Sequence, residues 1–287
     1  MIKTAKFFLL LALVFGELSG VWARERHSTL QVTLFPPLGT NGREAKDYTN
    51  DISLNLLVGV SRNERALALA GVAGIVHGDA RGVQFAGVLG AVGNDARGVQ
   101  FAGLANAVGN DGAGVQFGGV TNMVGGEFTG VQFGGLGNMT GSLEGIQFGG
   151  VGNIAGNVRG IQFGGWGNIA GKIEGIQFGG LGNVAGKVEG AQIGGLLNVA
   201  GTVRGTQVGV VNVARHNDVP IGLVNLIRDG EMGVAITYND LGTLGATFRS
   251  GGRVTYGILG LGCNTRFRGT WSVVGGIGAH IPVVSRL

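Results

Sequence analysis

Carboxylates at a regular spacing are the residues of this chain that could do chemistry. Glu144, Glu174 and Glu189 are separated by multiples of 15 residues, so a coiled chain with that repeat would bring them to neighbouring positions. Two carboxyl groups flanking a sugar can hydrolyse a glycosidic bond, one as acid and one as nucleophile or base. Carboxylates at turns are more often plain solvated charges. A carbohydrate-acting solenoid enzyme is therefore only the second alternative function for this chain.

Other catalytic and cofactor sites have no support in the sequence. The four His residues are scattered, and the single Cys263 has no potential metal ligands clustered around it. The segment 150–156 resembles a dinucleotide loop, but neighbouring repeats carry the same glycines with no helix after them. We predict no catalytic, cofactor-binding or metal-binding residue and no cofactor, and we predict that the chain is not an enzyme.

A repeat of 15 or 16 residues positions these side chains. Each unit begins Gly-Val/Ile-Gln-Phe or a close variant, and nine copies run from Gly82 to Gly205, which predicts a repeat architecture. Every copy has a Gln, at Gln84, Gln100, Gln116, Gln132, Gln147, Gln162, Gln177, Gln192 and Gln207. An Asn recurs downstream, at Asn106, Asn122, Asn138, Asn153, Asn168, Asn183, Asn198 and Asn212.

The unit predicts strands rather than helix. Several glycines per unit would each cost a helix about 1 kcal/mol relative to Ala. In a strand, Ile176 and Phe178 share one face and Gln177 points to the other. We place Phe in the interior and Asn at a corner. Stacked coils about 4.8 Å apart would then turn the Gln and Asn files into structural ladders.

The predicted fold class is all-β: a Gly-rich β-solenoid of 15–16-residue repeats with a small antiparallel C-terminal sheet. The alternative is an antiparallel outer-membrane-type β-barrel, because Asn-Asp pairs at 94–95 and 110–111 would suit hairpins. A barrel would invert every second strand, whereas identical units in identical surroundings favour the solenoid.

The chain divides into four predicted segments. Residues 1–23 have the basic, apolar and small-residue regions of a secretory signal peptide, with cleavage between Ala23 and Arg24. Residues 24–50 are predicted to be an irregular N-terminal segment, and 51–228 to be the repeat β-domain with degenerate copies at its ends. Residues 229–287 alternate as antiparallel strands.

Charge excludes one class of partner. The formal net charge is +4, only 13% of residues are charged, and Lys and Arg form no block. Nucleic-acid binding therefore is not predicted.

The repeat also resembles a known family. The motif Gly-Val-Gln-Phe-Ala-Gly-Leu-x-Asn, with Leu34-Phe-Pro-Pro-Leu before it and Pro220-Ile-Gly-Leu-Val-Asn after it, resembles an uncharacterised family of surface-repeat proteins exported by Gram-negative bacteria. The resemblance covers most of residues 30–282. It implies a location at the cell surface or outer membrane, and it implies no activity and no catalytic residues.

These observations predict a non-enzymatic surface or envelope repeat protein with a structural or interaction role. The first alternative is an integral outer-membrane β-barrel. The predicted partners are an envelope or surface component, either protein or glycan, together with membrane association.

Overall fold

The computed structural model describes residues 26–266 and 269–280, and these residues are built almost wholly from β-strands. Within them the helical structure is one short 3₁₀ helix, Gly42–Asp47, and no described helix is long and apolar enough to cross a membrane. The predicted signal peptide and its cleavage site lie outside the described residues. Packing divides the chain into two compact units, Met1–Gly149 and Gly150–Leu287.

Thirteen strands lie in the described part of the first unit. They are β1 (Arg26–Phe35), β2 (Leu38–Gly39), β3 (Tyr48–Asn55), β4 (Val58–Ser61), β5 (Asn63–Ala70), β6 (Ala73–Val76), β7 (Ala80–Ala86), β8 (Leu89–Val92), β9 (Ala96–Ala102), β10 (Ala105–Val108), β11 (Gly112–Gly118), β12 (Thr121–Gly134) and β13 (Gly137–Gly149).

The second unit contains eleven described strands. They are β14 (Gly152–Gly164), β15 (Gly167–Gly179), β16 (Gly182–Gly194), β17 (Leu197–Val208), β18 (Val211–Ala214), β19 (His216–Ile221), β20 (Val224–Ile227), β21 (Glu231–Tyr238), β22 (Thr243–Gly251), β23 (Thr255–Asn264) and β24 (Trp271–Ala279).

Within each unit, consecutive repeats pair in parallel with a register of one repeat. Gly82 lies beside Gly98 in the 16-residue copies, and Gly152 lies beside Gly167 in the 15-residue copies. Each repeat is therefore one coil, and equivalent residues stack directly on one another. The predicted β-solenoid is confirmed, and the antiparallel alternative is wrong for the repeats.

The glycine that opens each repeat is required by the backbone. These nine glycines have φ between +83° and +141°, a region in which L side chains are strained. A Cβ on Gly175 would also lie 2.0 Å from the carbonyl oxygen of Gly160 in the preceding coil. This glycine therefore marks a sharp corner in each coil where stacked backbones touch.

The degenerate copies at the ends of the array also form coils. In the first unit Leu69 lies in register with Phe85, and in the second unit Pro220 lies in register with Gln207. The prediction that residues 24–50 are irregular is wrong for Arg26–Phe35, because this segment pairs in parallel with Tyr48–Asn55 as an additional coil. The sequence pattern missed it because the repeat's glycines and Gln-Phe pair are absent there.

The predicted C-terminal sheet is present as the antiparallel order β21-β22-β23-β24. The turn between β22 and β23 lies on the last solenoid coil of the second unit. Val254 N donates to Asp218 O at 3.0 Å, and Thr255 Oγ1 donates to Pro220 O at 2.6 Å. Ser250 Oγ accepts from Asn225 N at 2.9 Å. One end of the sheet therefore covers the backbone groups that the last coil would otherwise expose.

Candidate functional site

The Gln side chains form a hydrogen-bonded file in the interior of each unit. From Gln100 onward they are at most 4% exposed. Each Nε2 donates to the Oε1 of the Gln in the preceding coil, at 2.6–2.8 Å in the first unit and 2.9–3.0 Å in the second. Burial of a single amide is costly, but in this stack each amide finds partners above and below.

The Asn side chains form a second buried file with the opposite direction. Asn168 Nδ2 donates forward to Asn183 Oδ1 at 3.0 Å and also to the Phe178 carbonyl at 2.7 Å. The same pattern holds from Asn106 to Asn138 in the first unit and from Asn153 to Asn225 in the second. Because Gln donates backward and Asn forward, the dipoles of the two files oppose each other.

The Phe side chains lie outside the solenoid, so the predicted Phe interior is wrong. Rings in neighbouring coils stack face to face, with centroids 4.6–5.0 Å apart and interplanar angles of 2–4°. The predicted alternation of Ile176, Gln177 and Phe178 is correct, but the inside and the outside are exchanged. The polarity of a single residue does not predict this arrangement. Stacking of the coils gives the buried Gln amides their hydrogen bonds, and it lets the outward Phe rings shield one another from water.

The exterior of the second unit is consequently apolar over much of each coil. We define its outer apolar side as the outward residues Ile161, Phe163, Trp166 and Ile169 with their equivalents in the next coil, Ile176, Phe178, Leu181 and Val184. Trp166 is 66% exposed and Leu181 51%. A continuous exposed apolar area is uncommon on soluble monomers and marks an interaction surface.

A charged edge lies on the opposite part of each coil. Ile173 is fully buried, while Lys172 and Glu174 on either side of it point outward. In the second unit the charged residues at the position of Glu174 are in register, from Arg159 through the next three coils. Lys172 Nζ lies 4.0 Å from a Glu189 oxygen, so the edge is a ladder of exposed ion pairs.

The carboxylates of this edge are poorly suited to general acid catalysis. A hydrogen bond from Lys172 lowers the pKa of Glu174, and one from Lys187 lowers the pKa of Glu189. A general acid needs a raised pKa at neutral pH. Glu144 is exposed and belongs to the first unit.

One buried acidic residue, Glu64, is not among the residues that the sequence analysis singled out. Glu64 is 3% exposed, and burial raises its pKa although hydrogen bonds from Ser53, Ser61 and Asn50 oppose the shift. Its Oε2 has no partner among the described residues. Glu64 occupies the register position of Ala80, so its spacing of one 16-residue repeat from Ala80 and two from Ala96 was the signal that it would be buried.

The described part of the chain holds no group of three or more His, Cys, Asp or Glu side chains that could bind a metal ion. Comparison with family models, curated proteins and solved structures finds no match to this chain. The resemblance to exported surface-repeat proteins therefore stays a prediction from the repeat motif.

Proposed function

We propose that this chain is a non-enzymatic envelope or surface protein of a Gram-negative bacterium, with a structural or interaction role. The observation that supports this most is the exchange of interior and exterior in the repeats. The Gln and Asn amides that could bind ligands are buried and hydrogen-bonded to one another, and the large apolar side chains of the outer apolar side face outward. The outer apolar side is then the surface through which the solenoid acts.

The geometry of the Phe file favours a protein partner over a glycan. Sugars bind aromatic side chains through the ring face, whereas rings stacked at 4.6–5.0 Å present mainly their edges. An outward Trp side chain, such as Trp166, is the type that most often anchors a protein interface. Among the two predicted kinds of surface component, the protein is therefore the better fit.

The export part of the proposal is tested on the purified envelope protein. Its intact mass should correspond to a chain that begins at Arg24. An envelope-bound chain that still begins at Met1 would contradict cleavage, and a chain found only in the cytoplasm would contradict export.

The surface part is tested with a pair of double variants. Trp166→Ser with Leu181→Ser removes two exposed anchors, while Lys172→Ser with Lys187→Ser is the matched control on the charged edge. We expect the first pair to lower retention in washed envelopes at least about tenfold, because a buried Trp anchor commonly contributes 2 kcal/mol or more to binding. Equal retention of both would contradict a role for the outer apolar side.

The enzyme alternative has a direct test. Hydrolysis of a glycan panel is measured for the parent chain and for Glu144→Gln, Glu174→Gln and Glu189→Gln. Activity in the parent that one variant abolishes would overturn the non-enzymatic proposal.

A further inference from the structure

The four-stranded sheet of the second unit has one face with no charged side chain. Cross-strand register places Tyr238, Leu244, Cys263 and Trp271 in one row, with further rows behind it towards the solenoid. We call this the apolar sheet face. Its members are Met232, Val234, Ile236, Tyr238, Leu244, Ala246, Phe248, Ser250, Gly257, Leu259, Leu261, Cys263, Trp271, Val273, Gly275 and Ile277.

This face is exposed over a large area. Val234, Ile236 and Val273 are 74%, 78% and 75% exposed, and Trp271 is 74% exposed. Together the exposed members present on the order of 1,000 Å², beyond the roughly 300–600 Å² of the largest apolar patch on an ordinary monomer. An exposed apolar patch of this size marks a surface that binds a protein or a membrane.

The opposite face of the same strands is richer in Gly and Thr and carries their charges, and its large side chains are Tyr256, Ile258 and Val274. Between Ile236 and Tyr238 lies Thr237, and across from it the register continues with Gly245 and Gly262. The charges of these strands, Glu231 and Arg249, are on this face. Apolar residues on one side and Gly, Thr and charges on the other are typical of strands that lie between lipid and water.

The distribution of polar atoms favours lipid over a protein as the cover. A protein interface has about one hydrogen bond per 100–200 Å², whereas the Ser250 hydroxyl is already engaged by Asn225 N. The polar tips that remain belong to Tyr238 and Trp271, at the two corners of the row farthest from the solenoid. Amphipathic aromatic residues prefer the headgroup level of a bilayer.

We infer that the apolar sheet face lies flat on a lipid bilayer, with its apolar side chains in the outermost part of the hydrocarbon region and the polar tips of Tyr238 and Trp271 at headgroup level. In the described chain the outer edges of β21 and β24 have no strand partner. Unpaired backbone groups are costly in hydrocarbon, so insertion is shallow, and headgroups and water reach those edges. This site is separate from the outer apolar side of the solenoid, and it concerns the membrane rather than a protein partner.

The experiment uses Trp271 as a reporter. The chain has three Trp residues, so the double variant Trp22→Phe with Trp166→Phe leaves Trp271 alone. It is mixed with phosphatidylcholine vesicles that carry bromine near the headgroup end of their acyl chains. We expect Trp271 emission to shift to shorter wavelength with these lipids unbrominated, and to be quenched when they are brominated.

A matched pair on one strand tests the face. In the parent background, Ile236→Asp puts a charge on the apolar sheet face and Thr237→Asp puts one on the opposite face. We expect the first to lower the vesicle-bound fraction more than about tenfold, given the cost of Asp in hydrocarbon, and the second to leave it within about twofold. Circular dichroism checks that both variants keep the solenoid.

Three results would overturn the inference. They are unquenched Trp271, equal vesicle binding by the Ile236 and Thr237 variants, and short-wavelength emission without vesicles in a chain that sediments as a dimer. The last result would assign the face to a second copy. Loss of envelope retention in the Trp166 and Leu181 variant together with intact vesicle binding would leave this inference standing.

Discussion

Replacing one interior Gln with Leu tests the internal amide ladder directly. Gln116 is 1% exposed, donates to Gln100 Oε1 at 2.6 Å and accepts from Gln132 Nε2 at 2.6 Å. Leu has a similar volume, so Gln116→Leu leaves the packing in place and removes both hydrogen bonds. The Oε1 atom of Gln100 and the Nε2 atom of Gln132 stay buried, and each loses its hydrogen bond to Gln116.

The expected cost follows from those two amides. Each buried polar group that loses its partner costs about 1–3 kcal/mol, which gives about 2–6 kcal/mol for the pair. Gains of about 1–3 kcal/mol offset part of this, because the Gln amide no longer has to be desolvated. We expect Gln116→Leu to lower the free energy of unfolding by about 1–3 kcal/mol.

The control is the neighbouring outward residue. Phe117 stacks on Phe101 and Phe133, and later copies carry Ile193 or Val208 at its position. Phe117→Ile should therefore cost less than about 1.5 kcal/mol, as an apolar replacement that keeps the strand.

Urea unfolding of the full chain, followed by circular dichroism, gives both values. Two results would refute the reasoning: a Gln116→Leu chain as stable as the parent, or a Phe117→Ile chain less stable than Gln116→Leu. The second is the outcome expected if Phe were inside.

Three further predictions concern a corner, a buried acid and the charged edge. Gly175→Ala should lower the free energy of unfolding by more than about 3 kcal/mol and block soluble expression, because strain at positive φ adds to the contact with Gly160. The control is Gly276→Ala, which has open space around it and should leave the melting temperature nearly unchanged. Burial raises the pKa of Glu64 above its ordinary 4.5, so the folded state binds this proton more tightly than the unfolded state. The free energy of unfolding therefore falls as pH rises from 4.5 through the raised pKa. Glu64→Gln should remove that fall and add about 1–3 kcal/mol to the free energy of unfolding at neutral pH, as measured by urea titration. The pKa of Glu174 is lowered by Lys172, so this ion pair makes a small contribution to stability that is present above pH 4.5 and lost below it. Glu174→Gln should flatten that part of the stability–pH profile, and only at low salt.

Much of the fold could be predicted because the repeat constrains it. The spacing from Gly82 to Gly205 gives the coil length, and Gly at every corner excludes helix. Alternation around Gln177 correctly grouped the residues that share a face. It could not say which face is inside, because that depends on neighbouring coils, and single-residue polarity favoured the wrong choice.

The site was less predictable for the same reason. No local pattern marks Arg26–Phe35 as a coil, since the strand is recognisable only by its pairing with Tyr48–Asn55. The apolar sheet face could be read strand by strand, as in Val234 and Ile236, but its exposure could not. Whether another element covers a sheet is decided by the path of the whole chain.

The sequence by itself determined that this protein is built from 15–16-residue β-repeats with a Gly, a Gln and an Asn at fixed positions, and it favoured stacked coils over an antiparallel barrel. Only the tertiary structure decided that the repeats stack in parallel, with the Gln and Asn amides inside and the Phe side chain that follows each Gln outside. The physical reason is that a hydrogen bond between coils exists only after the coils have stacked. A Gln amide is too polar to bury in a single repeat, but in the stack it hydrogen-bonds to the Gln amides of the coils before and after it. The Phe rings that alternate with these amides then face outward.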